Sequence, residues 1–201
     1  MATIEEFYNF AGKPSEIDLS LFKQTLSKYS SDKTGYHTYD PIYSALYKDR
    51  NSLTNILEMG IHMGASLRAW RDLFPHANII GLENNPERFF SEEKITSMYV
   101  DQSLQHTFDS FLSVMRGTEF DFIIDDGSHY LKETKTTFSN LLPVLKAGGW
   151  FVIEDISYKF EEEWQAIADN LGSGYKSFLI NMNDVAKTNS EDNIMLVVKK
   201  L

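Results

Sequence analysis

Short apolar runs alternate with segments of helical spacing over most of the chain. Five of the runs are typical of buried parallel strands and cover residues 56–60, 79–83, 98–100, 120–124 and 150–153. Helical patterns fall between or after them, at residues 66–73, 107–115, 132–146 and 161–171. Because β and α segments alternate, we predict a parallel sheet with right-handed crossover connections.

The two ends of the chain follow other patterns. Residues 1–30 are amphipathic and helical, with a break at Gly12 and Pro14, and a further helix is predicted over residues 41–48. Residues 178–181 and 194–198 predict two closing antiparallel strands, with no room for a long helix between them. We therefore predict an α/β fold with a doubly wound, mostly parallel, seven-stranded Rossmann-like sheet and a C-terminal antiparallel hairpin.

Composition narrows the class of protein. A chain of 201 residues with 42% hydrophobic and 24% charged residues is typical of one globular domain, here residues 1–201 with a helical or lid segment at 1–50 and a core at 51–201. With no cysteine, no bilayer-length apolar run and no signal-peptide pattern, we expect a cytoplasmic location and no membrane partner. The net charge of −10 disfavours binding to phosphate backbones, so no nucleic acid is expected.

Acidic residues follow two of the predicted strands. Asp125 and Asp126 end one apolar run, and Glu154 and Asp155 end another. Carboxyl ends of strands bind ligands in open α/β sheets, so we predict a Mg²⁺ site of Asp126, Glu154 and Asp155. His129 follows closely and is the predicted general base, with Asp126 as its catalytic neighbour. Alternatively, His129 packs against the next helix, Asp125 satisfies turn N–H groups, and the later acid pair caps the segment that follows.

Glycines and polar residues end the other strands. The pair Gly60 and Gly64 follows the first strand without the full G-x-G-x-x-G spacing, so it is a weak indication of nucleotide binding by itself. Glu83 ends the second strand, where an acid can bind ribose hydroxyls. Asp101 and Gln102 end the third strand and could hydrogen-bond an adenine edge. The alternatives are an ordinary turn, a solvated acid and a helix cap.

Taken together, these segments resemble class I S-adenosylmethionine-dependent methyltransferases, and more narrowly the metal-dependent sugar O-methyltransferases of macrolide biosynthesis. The matching motifs fall within residues 31–157. They are Leu57-Glu58-Met59-Gly60 with Gly64-Ala65-Ser66-Leu67-Arg68-Ala69-Trp70, then Ile124-Asp125-Asp126-Gly127-Ser128-His129, Val152-Ile153-Glu154-Asp155, and Ser31-Asp32-Lys33 with His37 and Tyr39.

The resemblance implies two cofactors, S-adenosylmethionine and Mg²⁺ or another divalent cation. It also implies the cofactor-binding residues, with the methionine moiety held by Glu58, Gly60, Gly64 and Ser66, the ribose by Glu83, and the adenine flanked by Asp101 and Gln102. The expected reaction transfers a methyl group to a sugar hydroxyl of a small-molecule glycoside or a glycan. A homo-oligomer is one of the assemblies that the sequence allows.

Three alternatives follow from the same residues. A catechol-like O-methyltransferase would keep the fold, although that group typically has lysine where this chain has His129. A non-catalytic cofactor-binding domain would have no need for the acid set. The incomplete glycine fingerprint disfavours a nicotinamide-dependent oxidoreductase. Finally, Tyr36, His37 and Tyr39 form either a lid over the cofactor or an aromatic brace for the N-terminal helices.

Overall fold

A mixed β-sheet forms the centre of the computed structural model, which describes residues 1–46, 50–186 and 191–201. Its strands are β1 (Asn55–Met59), β2 (Asn78–Glu83), β3 (Ser91–Glu92), β4 (Ile95–Tyr99), β5 (Phe120–Asp125), β6 (Leu145–Ile156), β7 (Tyr175–Asn181) and β8 (Ile194–Lys200). Within the described ranges their order is β3-β4-β2-β1-β5-β6-β8-β7. The pairs among β4, β2, β1, β5 and β6 are parallel, and the others are antiparallel. The predicted fold class and C-terminal hairpin are confirmed.

Helices cover both faces of this sheet. They are α1 (Ile4–Ala11), α2 (Glu16–Lys28), α3 (Asp40–Leu46), α4 (Ala65–Leu73), α5 (Gln105–Val114), α6 (Leu131–Leu141), α7 (Glu161–Asp169) and α8 (Met182–Ala186). Phe22 and Trp70 pack with Phe122 on one face, whereas Phe138 packs with Ile123 on the other. Adjacent residues of β5 thus serve opposite cores, as strand alternation requires. No helix in the described ranges is both long and apolar enough to cross a membrane.

Several boundaries differ from the predictions. The helix predicted over residues 132–146 ends at Leu141, because Pro143 cannot supply a helical N–H, and β6 already begins at Leu145. The two-residue strand β3 was not predicted, since two residues show no periodicity, and it brings the described sheet to eight strands. The short helix α8 lies between β7 and β8. The end predicted for α3 at residue 48 lies outside the described residues.

Candidate active site

The carboxyl ends of the parallel strands border a cavity of about 760 Å³. Eight of the predicted site residues line it: Gly60, Ser66, Glu83, Asp101, Gln102, Asp126, His129 and Asp155. The structure therefore brings together side chains from the ends of five strands. The other predicted residues, Glu58, Gly64 and Glu154, are not part of the lining.

The turn after β1 is packed directly against the turn after β5. Gly60 has a φ of +87°, and a Cβ at this position would lie 2.0 Å from the carbonyl oxygen of Asp126. The backbone N–H of Asp126 in turn donates to the carbonyl of Met59 at 2.9 Å. Only glycine permits this approach. The glycine turn and the acidic turn are therefore one rigid wall of the cavity.

A polar network holds the loop after β5. Asp125 is buried, and its Oδ1 accepts hydrogen bonds from the N–H of Gly127 at 3.2 Å and from Gln102 Nε2 at 3.0 Å. Gln102 also donates to Thr137 Oγ1 at 2.7 Å and accepts from the N–H of Ser128 at 2.7 Å. Burial raises the pKa of Asp125 to about 8. The structural role for Asp125 is confirmed, and the Gln102 amide, predicted to flank adenine, is engaged in holding this loop.

Two further polar side chains at the cavity also bind backbone groups. The Glu83 carboxylate is buried and accepts from the N–H groups of Asn84 and Asn85, both at 3.0 Å. Asp101 Oδ1 accepts from the N–H of Ser103 at 2.9 Å, which closes a turn before α5. Both acids therefore have fixed orientations at the cavity wall.

A possible cation site lies at the ends of β5 and β6. Among the described residues, Asp126, His129 and Asp155 each place one ligand atom so that the three atoms lie within 4.8 Å of one another. His129 lies 3.9 Å from Asp126 through Nε2 and 3.8 Å from Asp155 through Nδ1. The two carboxylates suit a divalent cation, so the residues present fit a metal ion, with the imidazole of His129 beside them.

The backbone at this site is strained. His129 has a φ of +58° and Asp155 a φ of +52°, in the left-handed region that non-glycine residues seldom occupy. Such conformations cluster at functional sites, where the surrounding structure enforces them. The β6–β8 pairing is also irregular between Ile153 and Ile156, next to Asp155. The fold thus forces Asp155 into a specific orientation at the cavity.

Behind this group lies a buried lysine that contacts three acids. Lys33 Nζ donates to Asp126 Oδ2 and Glu154 Oε2, and it lies 3.3 Å from Glu58 Oε1. The Tyr43 hydroxyl donates to Glu154 Oε1. Both oxygens of Glu154 are therefore engaged by the protein. Adjacent strand residues point to opposite sides, so Glu154 faces inward while its neighbour faces the cavity.

Glu58, predicted to hold the methionine moiety, is turned into the same buried region. Its Oε2 accepts a hydrogen bond from Trp70 Nε1 at 2.7 Å, and the side chain is fully buried. Burial raises the pKa of Glu58 to about 7, although Lys33 opposes the shift. In this structure the Glu58 carboxylate orients Lys33 and Trp70 and does not reach the cavity.

Burial and mutual repulsion make the charged forms of the acids at this site unfavourable. Burial, reinforced by the nearby Asp126 charge, raises the pKa of Glu154 well above its usual range, although Lys33 opposes the shift. The pKa of Asp155 is raised by the same two causes. Burial alone would lower the pKa of Lys33, but the surrounding carboxylates outweigh it and raise that pKa. A further cation beside these acids would favour their charged forms.

His37 and Tyr39 brace Asp155. The Tyr39 hydroxyl donates to Asp155 Oδ1, and His37 Nδ1 lies 3.5 Å from the same oxygen. The two rings stack with their centroids 4.9 Å apart. Tyr36, in contrast, is 77% exposed. Neither predicted role, a lid over the cofactor or a brace for the N-terminal helices, describes these contacts, since His37 and Tyr39 both lie against a site carboxylate.

The sequence did not identify Lys33 and Tyr43 as site residues. A lysine in the turn-like segment after α2 is typical of an exposed surface, and a tyrosine in a short helix is typical of packing. One signal was available, since several buried acids at adjacent strand ends require a compensating cation. The family motif Ser31-Asp32-Lys33 includes this lysine, but the sequence assigned it no role.

Comparison with known proteins places the chain among methyltransferases. Residues 57–156 match the family described as Methyltransferase domain. Mycinamicin VI 2''-O-methyltransferase of Micromonospora griseorubida is 34% identical over an alignment of 139 residues, and the match covers 65% of this chain and 34% of that protein. A tetracenomycin rhamnosyl 3'-O-methyltransferase of Streptomyces olivaceus is 33% identical over an alignment of 143 residues, and the match covers 65% of this chain and 35% of that protein. The chain thus spans about a third of the length of these curated relatives.

A solved structure shows the same fold. The MycE methyltransferase of the mycinamycin biosynthetic pathway, in complex with Mg and SAH, superimposes with a TM-score of 0.68 at 24% identity. The alignment covers 89% of this chain and 53% of that one. At 24% identity the match establishes the fold of this chain alone.

Proposed function

Because this chain belongs to the methyltransferase domain family over residues 57–156, we propose that it is a metal-dependent O-methyltransferase that uses S-adenosylmethionine to methylate a sugar hydroxyl of a glycoside or glycan. One observation carries the proposal. A single cavity joins the glycine turn after β1 to Asp126, His129 and Asp155. The proposed enzyme is one domain over residues 1–201, since Phe22 and Ile42 of the N-terminal helices share a hydrophobic cluster with the sheet.

The cofactor would occupy the part of the cavity at the ends of β1 and β2. Gly60 and Ser66 line this part, and Glu83 is oriented to receive ribose hydroxyls. A volume of about 760 Å³ suits a nucleoside-sized ligand together with part of an acceptor. Bound there, S-adenosylmethionine would supply a methyl group on a positively charged sulfur. The protein's task is to hold the acceptor oxygen in line with that carbon.

The cation would be held at the ends of β5 and β6 by Asp126 and Asp155, each of which directs one oxygen toward His129. A divalent cation lowers the pKa of a bound hydroxyl, which a sugar hydroxyl requires. Glu154, the third predicted ligand, would join only after it releases Lys33 and Tyr43. The acids of the site thus have two proposed tasks, cation binding and placement of the lysine.

His129 is the proposed general base. Its side chain is 41% exposed and lies between the two cation-site acids. In the proposed step, the acceptor oxygen forms a bond to the methyl carbon, the carbon–sulfur bond breaks, and an imidazole nitrogen of His129 accepts the hydroxyl proton.

The proposal is tested by measuring methyl transfer to a panel of glycosides and catechols, using S-adenosylmethionine with Mg²⁺ or with EDTA. We expect methylated glycosides, detected by mass spectrometry, and loss of product in EDTA. Product from catechols alone would replace the sugar acceptor with an aromatic one. Full activity in EDTA would exclude the metal-dependent mechanism. If calorimetry detects no binding of S-adenosylmethionine at millimolar concentration, the proposed methyltransferase activity is excluded.

A further inference from the structure

The glycine turn after β1, residues 60–64, contacts a different part of the protein at each of its two ends. At its first residue, Gly60 packs against the turn after β5. At its last residue, Gly64 packs against Phe90, which directly precedes β3, and a Cβ on Gly64 would collide with the Phe90 ring. We propose that Arg68 and Phe90 clamp this second end and so hold the turn in the conformation that receives the cofactor. This inference rests on the proposed function.

The second end of the turn has a backbone conformation that needs support. His62 has a φ of +42° and Gly64 a φ of +75°, in the left-handed region that only glycine adopts without cost. Gly64 is also the N-cap of α4, and no side chain caps the start of that helix. Because Ile61, His62 and Met63 line the cavity, a change in the turn would change the surroundings of the cofactor.

Arg68, on the first turns of α4, joins the glycine turn to β3. Its Nη1 donates to the carbonyl of Met63 at 2.8 Å, and its Nε donates to Glu92 Oε1 at 2.8 Å. Its guanidinium also lies over the Phe90 ring, 4.5 Å from the ring centroid. A planar guanidinium can make these three contacts at once, whereas the compact ammonium of a lysine cannot.

The residues that Arg68 contacts on the side of β3 are themselves held in place. The N–H of Phe90 donates to Ser97 Oγ at 3.1 Å, and that hydroxyl donates to the carbonyl of Phe90 at 2.8 Å. The second carboxylate oxygen of Glu92 accepts from Arg71 Nη1 at 2.9 Å. The two-residue strand β3 thus presents Phe90 and Glu92 as a fixed support for the turn.

The variants Arg68→Met and Arg71→Met test the clamp against a matched control. Both arginines lie on α4 and donate to Glu92, but the contacts of Arg71 among the described residues go to Glu92, Asp72 and Tyr29, whereas Arg68 bonds the turn. Calorimetry measures the binding of S-adenosylmethionine and of S-adenosylhomocysteine. Hydrogen–deuterium exchange of residues 60–66, followed by mass spectrometry without ligand, measures the order of the turn.

Arg68→Met should weaken the binding of both ligands about tenfold, because a loosened turn must be ordered when the ligand binds. Hydrogen exchange in the turn should become about tenfold faster. Arg71→Met should lose a similar amount of thermal stability but keep the wild-type affinity and exchange. Wild-type affinity in Arg68→Met, with or without faster exchange, would overturn the proposal.

Arg68→Lys separates geometry from charge, because it keeps the positive charge but cannot bridge the turn and β3. It should resemble Arg68→Met in affinity and in exchange. Wild-type affinity in Arg68→Lys would show that the charge alone matters and would overturn the clamp.

Two other outcomes are also decisive. If wild type binds neither ligand, the proposed function fails, and faster exchange in Arg68→Met but not in Arg71→Met would still support the clamp on the turn. If Arg68→Met does not fold, Phe90→Leu removes the ring from Gly64 and keeps the arginine. Weaker binding and faster exchange in Phe90→Leu support the proposal, and wild-type values overturn it.

Discussion

Strand β5 carries a buried aspartate at each end, and the two aspartates have different hydrogen-bond partners. Near its amino end, Asp121 accepts from the N–H groups of Thr54 and Asn55, at 2.7 and 3.0 Å, and from Lys146 Nζ at 2.8 Å. Burial would raise the pKa of Asp121, but these donors outweigh it and hold that pKa below its usual range. This carboxylate is fully compensated, as in a structural ion pair.

At the carboxyl end of the same strand, Asp125 has only neutral partners in Gly127 and Gln102, and its pKa is raised to about 8 by burial. Its neighbour Asp126 adds negative charge. The difference shows that this fold can supply enough hydrogen-bond donors to stabilise the charge of a buried carboxylate. Asp125 holds the loop after β5, whereas Asp126 and Asp155, which line the cavity, are the candidates for function.

The largest effect is expected for Asp126→Asn, which keeps the shape of the side chain and removes its charge. We expect the catalytic efficiency to fall about a thousandfold, or about 4 kcal/mol of barrier, because a cation ligand is lost. Thermal stability should change little. Rates of methyl transfer and melting curves measure the two effects, and activity within tenfold of wild type would contradict the assignment.

The next largest effect is expected for His129→Gln. Turnover should fall about a hundredfold, while the dissociation constant of S-adenosylmethionine stays the same, because the imidazole acts on the acceptor proton alone. Steady-state kinetics and calorimetry separate these quantities. The exposed His106 provides the control variant His106→Gln, and equal rates for both variants would remove His129 as the base.

Asp121→Asn should show the opposite behaviour to the change at Asp126. It weakens charge-assisted bonds from Thr54, Asn55 and Lys146, so the free energy of unfolding should decrease by about 2 kcal/mol. Turnover at a temperature well below unfolding should be unchanged. Urea denaturation measures the loss against the exposed control Asp169→Asn. A large drop in turnover of the folded variant would break the comparison between the two ends of β5.

The smallest effect is the pH dependence of that loss. Since the pKa of Asp121 is lowered in the folded protein, its stabilising contribution is complete above the unfolded value of about 4 and disappears as pH falls through the folded pKa. The difference in unfolding free energy between wild type and Asp121→Asn should therefore shrink on acidification. Denaturation curves between neutral and acidic pH measure it, and a constant difference would show that the carboxylate charge is irrelevant.

Sequence patterns predicted the sheet well and the details of its edges less well. The five parallel strands and the closing hairpin were identified because their side-chain periodicity is local. The end of α6 was misplaced, because apolar spacing continues through Pro143 into β6. At the site, the sequence placed Asp126, His129 and Asp155 together, yet it gave no indication that Glu58 faces the core.

By itself, the sequence determined that acids follow β5 and β6 at the carboxyl edge of a parallel sheet, since strand type and strand direction follow from local pattern. The tertiary structure decided which oxygen of each acid is free. Lys33 contacts Asp126 across 93 positions and Glu154 across 121. Such contacts depend on the path of the whole chain. Local periodicity cannot encode that path, and it is the path that brings Lys33 to the acids at the ends of β5 and β6.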